Sequence, residues 1–167
     1  GQKSGFFLDQ RENRYRVMEH SKGKRVLNCF AYTGGFSVYA AKGGAQEVVS
    51  VEISKDALSV CEKNMELNGF DGQNFQYSAE DVFDFLRKPQ ELYDLIILDP
   101  PAFAPNRSAV MQASRGYKDI NLNALKLLKP GGLLFTYSCS HHIDPVLFQQ
   151  ILFGAAKDAG VRVQILE

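Results

Sequence analysis

The sequence lacks an excess of charge of either sign, since its 167 residues include 19 lysines and arginines and 19 aspartates and glutamates. No global positive field therefore attracts a polyanion such as RNA, and a nucleic-acid contact would need a local patch. The sequence also argues against a disulfide framework or a zinc cluster, because the three cysteines are odd in number and widely spaced, with no C-x-x-C pair. The length of 167 residues predicts one domain, and the cysteine spacing predicts no metal. Because no signal-like or membrane-length apolar run occurs, the sequence also predicts a cytoplasmic protein without a membrane partner.

The chain is organised around residues 26–36, a short apolar run that breaks at Gly34 and Gly35 and resumes as a helical pattern. This pattern predicts a buried strand, a tight turn and a helix start, and in an open parallel sheet such a junction forms a ligand crevice. A second apolar strand, residues 48–51, ends in Glu52, on the order of 20 residues from the glycines, a spacing typical of an acid that binds a ribose hydroxyl. The two strands therefore predict a nucleoside-binding βαβ unit.

Tyr32 distinguishes two classes of nucleoside cofactor. A dinucleotide-binding turn follows the pattern G-x-G-x-x-G, with glycines where the backbone approaches a pyrophosphate, and here Tyr32 occupies the first glycine position. Its bulk would obstruct a pyrophosphate, whereas it can flank an amino-acid sulfonium. The sequence thus favours S-adenosylmethionine over a nicotinamide or flavin cofactor.

Four further apolar segments predict strands: residues 74–78, 93–98, 133–137 and 161–166. The first leads to Asp81, which can cap the next helix, hydrogen bond an adenine amino group, or do both. The second ends in Asp99 on a backbone stiffened by Pro100 and Pro101, and the third brings Cys139 to the same edge. Because strands alternate with helices, the sequence predicts a doubly wound, mostly parallel α/β sheet with right-handed crossovers.

The segment before this sheet has two open interpretations. Residues 1–11 form either a flap over a ligand or an edge segment packed on the sheet. From Asp9 we predict a helix that ends at Gly23, with Tyr15 and Met18 facing inward. Its arginines, Arg11, Arg14 and Arg16, are interpreted as a solvated face rather than an RNA contact.

A polar stretch follows the two prolines. Residues 104–115 are predicted to form a substrate loop with local positive charge, before a helix begins. His141 and His142 have no spaced partner and are interpreted as exposed loop residues. Cys61 lies on an apolar helical stripe and Cys29 within the first strand, so both are predicted to be core residues.

Five motifs, in order along nearly the whole chain, carry a family resemblance: Gly5–Arg11 (GFFLDQR), Leu27–Phe36 (LNCFAYTGGF), Asp99-Pro100-Pro101 with Phe103, Arg115–Asn121 (RGYKDIN) and Ser138-Cys139-Ser140. With them the chain resembles the catalytic domain of the class I S-adenosylmethionine-dependent methyltransferases that make 5-methylcytosine in bacterial large-subunit ribosomal RNA. The resemblance implies a Rossmann-like methyltransferase fold, S-adenosylmethionine as cofactor and ribosomal RNA as partner. It leaves the oligomeric state open.

The resemblance also implies roles for individual residues. Phe30, Tyr32 and Gly34 would line the methionine end of the cofactor, Glu52 its ribose and Asp81 its adenine. Further cofactor contacts would come from Phe7, Asn28, Thr33, Asp99 and Pro100. Cys139 would be the nucleophile and Asp99 its partner on the base.

The implied chemistry explains these residue types. Carbon 5 of cytosine is a poor nucleophile, and addition of a thiolate to carbon 6 makes an enamine whose carbon 5 can attack the methyl group. Asp99 would hydrogen bond N3 and the exocyclic amine as charge develops. The alternative interpretation of Cys139 is an inert thiol at a strand end, and the Asp99-Pro100-Pro101 motif favours the nucleophile.

The sequence departs from the family in three ways. Ala102 stands where some RNA cytosine-5 methyltransferases carry a second cysteine, so the base that removes the carbon 5 proton is unassigned. The N-terminal RNA-binding domain of the PUA type is absent, as is the last antiparallel strand between the fifth and sixth. We therefore expect residues 1–167 to be a catalytic-domain fragment with an exposed sheet edge and weak activity at best.

Two other functions stay open at this point. A related ribosomal RNA guanine N7-methyltransferase domain shares the fold and the opening Gly-x-Phe-Leu-Asp pattern, but it has no cysteine at the place of Cys139. The other is a cofactor-binding module that recognises RNA without catalysis. A Cys139→Ala variant separates the three functions.

Overall fold

The computed structural model describes residues 4–7, 13–103 and 106–166, with the backbone alone for residues 4–7. Seven strands form one parallel sheet. They are β1 (Ser4–Phe7), β2 (Arg25–Cys29), β3 (Glu47–Val51), β4 (Phe75–Ser78), β5 (Tyr93–Leu98), β6 (Leu128–Thr136) and β7 (Val163–Ile165), in the spatial order β4-β3-β2-β5-β6-β1-β7. The order reverses between β2 and β5, and this switch point is where open α/β sheets bind ligands.

Helices cover both faces of the sheet. They are α1 (Asn13–Glu19), α2 (Gly35–Lys42), α3 (Lys55–Leu67), α4 (Val82–Arg87), α5 (Val110–Leu127) and α6 (Pro145–Ala159). Alternate residues of the central strands belong to two hydrophobic cores, one on each face of the sheet. Ile97 lies in the core that contains Val17 of α1 and Ala40 of α2, whereas Ile96 lies in the core that contains residues of α4, α5 and α6. The central strands are buried on both faces, which explains why their sequences are continuous apolar runs. The predicted doubly wound α/β fold is thereby confirmed.

Three predicted helix starts are confirmed by their caps. The side chain of Ser54 accepts from the amide of Ala57, that of Asp81 from Asp84, and that of Asp144 from Leu147. Each satisfies an N–H group that the first helical turn leaves without a partner. Because each capping residue lies just after a strand or in the loop before a helix, the caps also fix where the chain leaves the carboxyl edge.

The sheet differs from the expectation at one position. The fifth and sixth strands of the sequence analysis are β6 and β7, and we expected a gap between them. Strand β1 lies there instead and pairs in parallel with both, so that Gly5 is opposite Leu133 and Gln164. The expectation of an exposed edge at that place is therefore wrong. Residues 4–7 form an interior strand, so neither the flap nor the edge interpretation holds for them, and the rest of residues 1–11 lies outside the described residues. The outer strands are β4 and β7.

Two helical predictions also need correction. In α1 the buried side chains are Asn13 and Val17, while Tyr15 is 57% exposed, so the inward face is rotated from the predicted one; residues 8–12, where the helix was predicted to start, lie outside the described residues. The stretch 104–115 is not a continuous loop, because a 3₁₀ turn at Arg107–Ala109 leads directly into α5 at Val110. Asn106 caps this turn by accepting from the amide of Ala109.

Candidate active site

The loops that leave the carboxyl ends of β2, β3, β4, β5 and β6 lie along one edge of the sheet. Glu52 follows β3, Asp81 follows β4, Asp99 follows β5 and Cys139 follows β6. Since all these strands run parallel, their ends bring the side chains to one crevice beside the switch point. The sequence analysis predicted that the motifs would converge on one edge, and the topology confirms this.

The loop after β2 holds an unusual backbone. Phe30 and Tyr32 both have positive φ angles, 58° and 50°, a conformation that costs a bulky residue about 1–3 kcal/mol. Glu52 stabilises this loop, because its Oε1 accepts from the amide of Tyr32 at 2.9 Å while its Oε2 accepts from the amide of Ser54 at 2.8 Å. One carboxylate therefore joins the ends of β2 and β3 and leaves the Tyr32 ring 69% exposed at the mouth of the crevice.

Gly34, the residue before α2, lies against α3. It has φ of 91°, and a Cβ added to it would lie 2.5 Å from Sγ of Cys61. The same approach of α3 is fixed by Asn64, whose Nδ2 donates to the carbonyl oxygen of Thr33 at 2.8 Å. Glycine is thus required here by the backbone angle and by the close packing of the buried Cys61 thiol, whose pKa is raised by its burial.

Asn28 lies beneath the crevice and not on its surface. Its side chain is buried, and its Nδ2 donates to Oγ of Ser37 at 2.9 Å, which in turn contacts Oγ of Ser50 at 2.6 Å. This chain of polar groups ties β2 to α2 and β3. The Oδ1 of Asn28 has no hydrogen-bond partner among the described residues, and a direct cofactor contact by this residue stays a prediction.

Asp99 and Cys139 lie close together at the ends of the paired strands β5 and β6. Sγ of Cys139 is 3.8 Å from Oδ1 of Asp99, and the thiol-bearing residue is exposed. Burial raises the pKa of Asp99, while the contact with Cys139 and the charge of Arg14 oppose that rise. An exposed thiol and a partly desolvated carboxyl group therefore lie at one place, and these are the two kinds of group that covalent catalysis with proton transfer requires.

A cavity of about 480 Å³ lies beside Asp99. Its lining residues are Asn13, Arg14 and Tyr15 of α1, Phe36 and Tyr39 of α2, Asp99, and Tyr137. The sequence analysis assigned Asp99 to the site and missed the residues of α1. The available signal was the spacing of Asn13 and Val17, which places a polar residue on the buried stripe of a helix.

Aromatic side chains form a second wall near Asp81. Phe103 follows the two prolines and packs on Tyr117, with ring centroids 4.7 Å apart, and it also contacts Phe83 and Phe30 at 5.9 and 6.2 Å. An apolar groove of about 520 Å³ runs along Phe83, Phe103 and Gly116. Such a surface suits the flat face of a nucleobase.

Comparison with known proteins decides the family. The sequence profile of a family described as S-adenosylmethionine-dependent methyltransferase matches residues 1–161. The chain belongs to this methyltransferase family. The cofactor expected from the sequence, S-adenosylmethionine, is thereby confirmed.

Curated relatives of this methyltransferase are long proteins. The Ribosomal RNA large subunit methyltransferase I of Aeromonas hydrophila is 54% identical over 170 residues, and the protein of the same name from Photobacterium profundum is 49% identical over 170 residues. Each alignment covers all of this chain and 43% of the relative. The chain therefore spans less than half the length of these relatives.

A solved methyltransferase structure has the same architecture. SMU.776, crystallised in complex with S-adenosylhomocysteine (SAH), superposes with a TM-score of 0.76 at 34% identity, over 89% of this chain and 40% of that one. The likeness supports the class I methyltransferase assignment of the seven-stranded sheet. Among the described residues of this methyltransferase, no group of three histidine, cysteine or acidic side chains could hold a metal ion, and no helix is long and apolar enough to cross a membrane.

The remaining predicted cofactor contacts lie at the crevice or next to it. Pro100 is buried beside Asp99, and Phe30 and Thr33 are half-buried in the loop after β2. Phe7 lies in β1 opposite Phe135 of β6, near the carboxyl edge, and its side chain lies outside the described residues. The binding roles of all these residues in the methyltransferase stay predictions.

Proposed function

We propose that this methyltransferase transfers the methyl group of S-adenosylmethionine to carbon 5 of a cytosine in large-subunit ribosomal RNA. The relatives named Ribosomal RNA large subunit methyltransferase I support the RNA substrate. The observation that carries the cytosine assignment is the exposed Cys139 thiol 3.8 Å from the carboxyl group of Asp99. A cytoplasmic location is part of the same proposal, since ribosomal RNA is modified there in bacteria.

The proposed reaction uses Cys139 as a covalent catalyst. Its thiolate adds to carbon 6 of cytosine, and the electron pair of the 5,6 double bond becomes available at carbon 5. Carbon 5 attacks the sulfonium methyl group, so that a carbon–carbon bond forms as the methyl–sulfur bond breaks and S-adenosylhomocysteine leaves. Loss of the proton from carbon 5 then restores the double bond and expels the Cys139 thiolate.

Asp99 assists the addition step in this proposal. When the thiolate adds, negative charge develops on N3 of the base, and a proton or hydrogen bond offered there lowers the barrier. The carboxyl group of Asp99 can donate to N3 when it is protonated, and burial, which raises its pKa, makes that form easier to reach than for an exposed aspartate. The rigid backbone at Pro100 and Pro101 fixes the position of this group relative to the thiol.

The cofactor lies across the carboxyl edge in this proposal. Glu52 receives the ribose hydroxyl groups, Asp81 receives the adenine amino group, and the loop from Phe30 to Gly34 contacts the methionine side chain. Glu52 is already oriented for this role by two backbone amides. The aromatic groove along Phe103 offers a nearby surface for the adenine or for a base of the RNA.

The test compares Cys139→Ala with Ser138→Ala, a change in the same loop that keeps the thiol. Each variant is given ribosomal RNA and radiolabelled S-adenosylmethionine, and the modified base is mapped. We expect Cys139→Ala to bind the cofactor normally, to lose methyl transfer by about 10³-fold or more, and to form no covalent adduct with RNA that carries 5-fluorocytosine. Ser138→Ala keeps both the methyl transfer and the adduct.

Two outcomes contradict the proposal. Unchanged methylation by Cys139→Ala, with the methyl group on N7 of guanine, would identify the guanine enzyme, because N7 is already nucleophilic. A longer protein that contains this chain and binds both cofactor and RNA, but transfers no methyl group, would identify a binding module. In either case the family assignment stands, since it does not rest on the thiol.

A further inference from the structure

A buried amide of α5 is hydrogen-bonded to the end of β6. Asn121 is 0% exposed, and its Oδ1 accepts from Oγ1 of Thr136, which is equally buried, at 2.7 Å. Its Nδ2 donates to the carbonyl oxygen of Tyr117, one turn earlier in α5, also at 2.7 Å. The amide therefore makes one short hydrogen bond to its own helix and one to the neighbouring strand.

An amide is a costly side chain at this place. The same face of α5 buries Tyr117 and Leu125, and β6 contributes Leu134 to the hydrophobic core on this side of the sheet. Leucine has nearly the shape of asparagine and buries no polar atom, whereas an amide must replace its lost hydration by hydrogen bonds. A satisfied polar pair inside an apolar core fixes one relative position of the elements that it joins. Asn121 and Thr136 therefore fix the end of β6 against α5.

This strand end carries the nucleophile of the proposed reaction. Thr136 is the last residue of β6 and lies opposite Leu98, the residue before Asp99. The next amide, that of Tyr137, donates to the carbonyl oxygen of Leu98 at 3.0 Å. Cys139 follows Thr136 by three residues, and its Sγ lies 3.8 Å from Oδ1 of Asp99. A shift of the end of β6 would therefore move the thiol relative to the acid.

The same amide is connected to the loop of the acid through Tyr117. The ring of Tyr117 is buried and packs on Phe103, with ring centroids 4.7 Å apart. Phe103 follows Asp99 by four residues, on a backbone that two prolines stiffen. One side chain of α5 thus contacts both segments that lead to the reacting groups.

We infer that Asn121 is a positioning residue, which through Thr136 sets the distance between the thiol of Cys139 and the carboxyl group of Asp99. Because Asn121 is fully buried, it acts on the reaction through β6 and not by contact with the RNA. A misplacement of about 1 Å between reacting groups can lower a rate by about 100-fold, so a small shift of the strand end is enough. The inference rests on the proposed function for the use that the reaction makes of this distance.

The decisive variant replaces both partners by apolar side chains of similar shape. Such a double replacement costs little stability and can increase it, so Asn121→Leu/Thr136→Val should melt at or above the temperature of the wild type. Thr136→Val alone leaves the oxygen of Asn121 without a partner and should melt at a lower temperature. Ser21→Ala is the matched control for the loss of a buried hydroxyl group, because Ser21 donates to the carbonyl oxygen of Val17 in the segment before the amino end of β2.

Alkylation of Cys139 by iodoacetamide measures the contact with Asp99 without RNA. Cys29 and Cys61 are buried and Cys139 is exposed, so the reagent selects this thiol. A carboxylate beside a thiol disfavours the thiolate, which is the reactive form. Asp99→Asn should therefore accelerate alkylation of otherwise unchanged protein by about 5-fold, the effect of one charge at this distance in water.

The background decides whether this acceleration is seen. In Asn121→Leu/Thr136→Val we expect Asp99→Asn to change the alkylation rate by less than about 2-fold, because the thiol no longer lies against the acid. In Ser21→Ala, and in Thr136→Ser, which keeps the hydroxyl group, we expect the full acceleration. An equally large acceleration in the double variant overturns the inference. No acceleration in otherwise unchanged protein also overturns it, since the thiol and the acid would then not be in contact.

Methyl transfer to RNA gives the second measurement. We expect the double variant to lower kcat by about 10-fold or more and to change KM for S-adenosylmethionine by less than about 2-fold. If Asn121 only supports the fold, kcat instead follows the melting temperature, and a fully active double variant overturns the inference. Failure of the cytosine proposal is seen separately, as unchanged methylation by Cys139→Ala, and the alkylation rates decide the inference in that case too.

Discussion

Replacing Gly34 by alanine is expected to destabilise the protein through two separable effects. The first is the backbone angle, since φ of 91° lies in the left-handed region, where an L-residue with a Cβ costs about 1–2 kcal/mol. The second is overlap, because the new Cβ would lie 2.5 Å from Sγ of Cys61 and 3.2 Å from its Cα. Overpacking of this kind costs about 1–3 kcal/mol, so the expected total is ~2–5 kcal/mol.

Gly69 supplies the matched control for the backbone effect. It follows α3 with φ of 86°, and a Cβ added there meets nothing within 4 Å. Gly69→Ala therefore incurs the left-handed cost alone, about 1–2 kcal/mol. The difference between the two variants, about 1–3 kcal/mol, measures the overlap with Cys61.

The assay is urea unfolding followed by circular dichroism. With a denaturant slope of about 2 kcal/mol per molar, the overlap should lower the midpoint of Gly34→Ala by ~0.5–1.5 M more than that of Gly69→Ala. Adding Cys61→Ala to Gly34→Ala should recover about 1 kcal/mol relative to additivity, since it removes the sulfur atom. Equal midpoints for Gly34→Ala and Gly69→Ala, or full additivity with Cys61→Ala, would refute the reasoning.

Two further predictions concern the carboxyl groups of the site. Burial raises the pKa of Asp99 in the folded state, so ionisation of this carboxyl group opposes folding at neutral pH. We therefore expect Asp99→Asn to be more stable than the wild type at pH 7. This difference in stability should disappear as the pH falls below the unfolded-state pKa of about 3.9. A gap that widened toward low pH in urea titrations would contradict this sign. Glu52→Gln keeps one acceptor oxygen but places its NH2 group against the amide of either Tyr32 or Ser54, and it loses the charge proposed to bind the ribose hydroxyls. We therefore expect S-adenosylhomocysteine to bind about 10-fold more weakly, together with a modest fall in melting temperature; a lower melting temperature with unchanged binding would assign Glu52 to the fold alone.

The sheet between β2 and β6 was predictable because its signals are local. Buried parallel strands read as apolar runs, and Ser54, Asp81 and Asp144 mark helix starts by the hydrogen bond that each makes within three residues. The meeting of Asp99 and Cys139 followed from topology, since parallel strands place their carboxyl ends at one edge. No knowledge of distant contacts was needed for either result.

The place of β1 was not predictable, because it depends on a contact between distant segments. Four residues of β1 pair with β6 and β7, more than 120 positions away, and nothing in Ser4–Phe7 specifies those partners. The prediction of the inward face of α1 was wrong for a related reason. Hydrophobicity favours Tyr15 over Asn13 as a buried residue, and the burial of Asn13 depends on how α1 packs on the rest of the protein.

In the proposed site, the residues of the loop after β2 have a role in the fold as well as in cofactor binding. Two non-glycine residues, Phe30 and Tyr32, are held at positive φ, and such strain persists only where surrounding contacts fix the backbone. Glu52 provides that contact from the next strand through the Tyr32 amide. Because contacts within the protein hold the strained turn, a cofactor that binds this loop as proposed need not order it, and less binding energy is lost to that ordering.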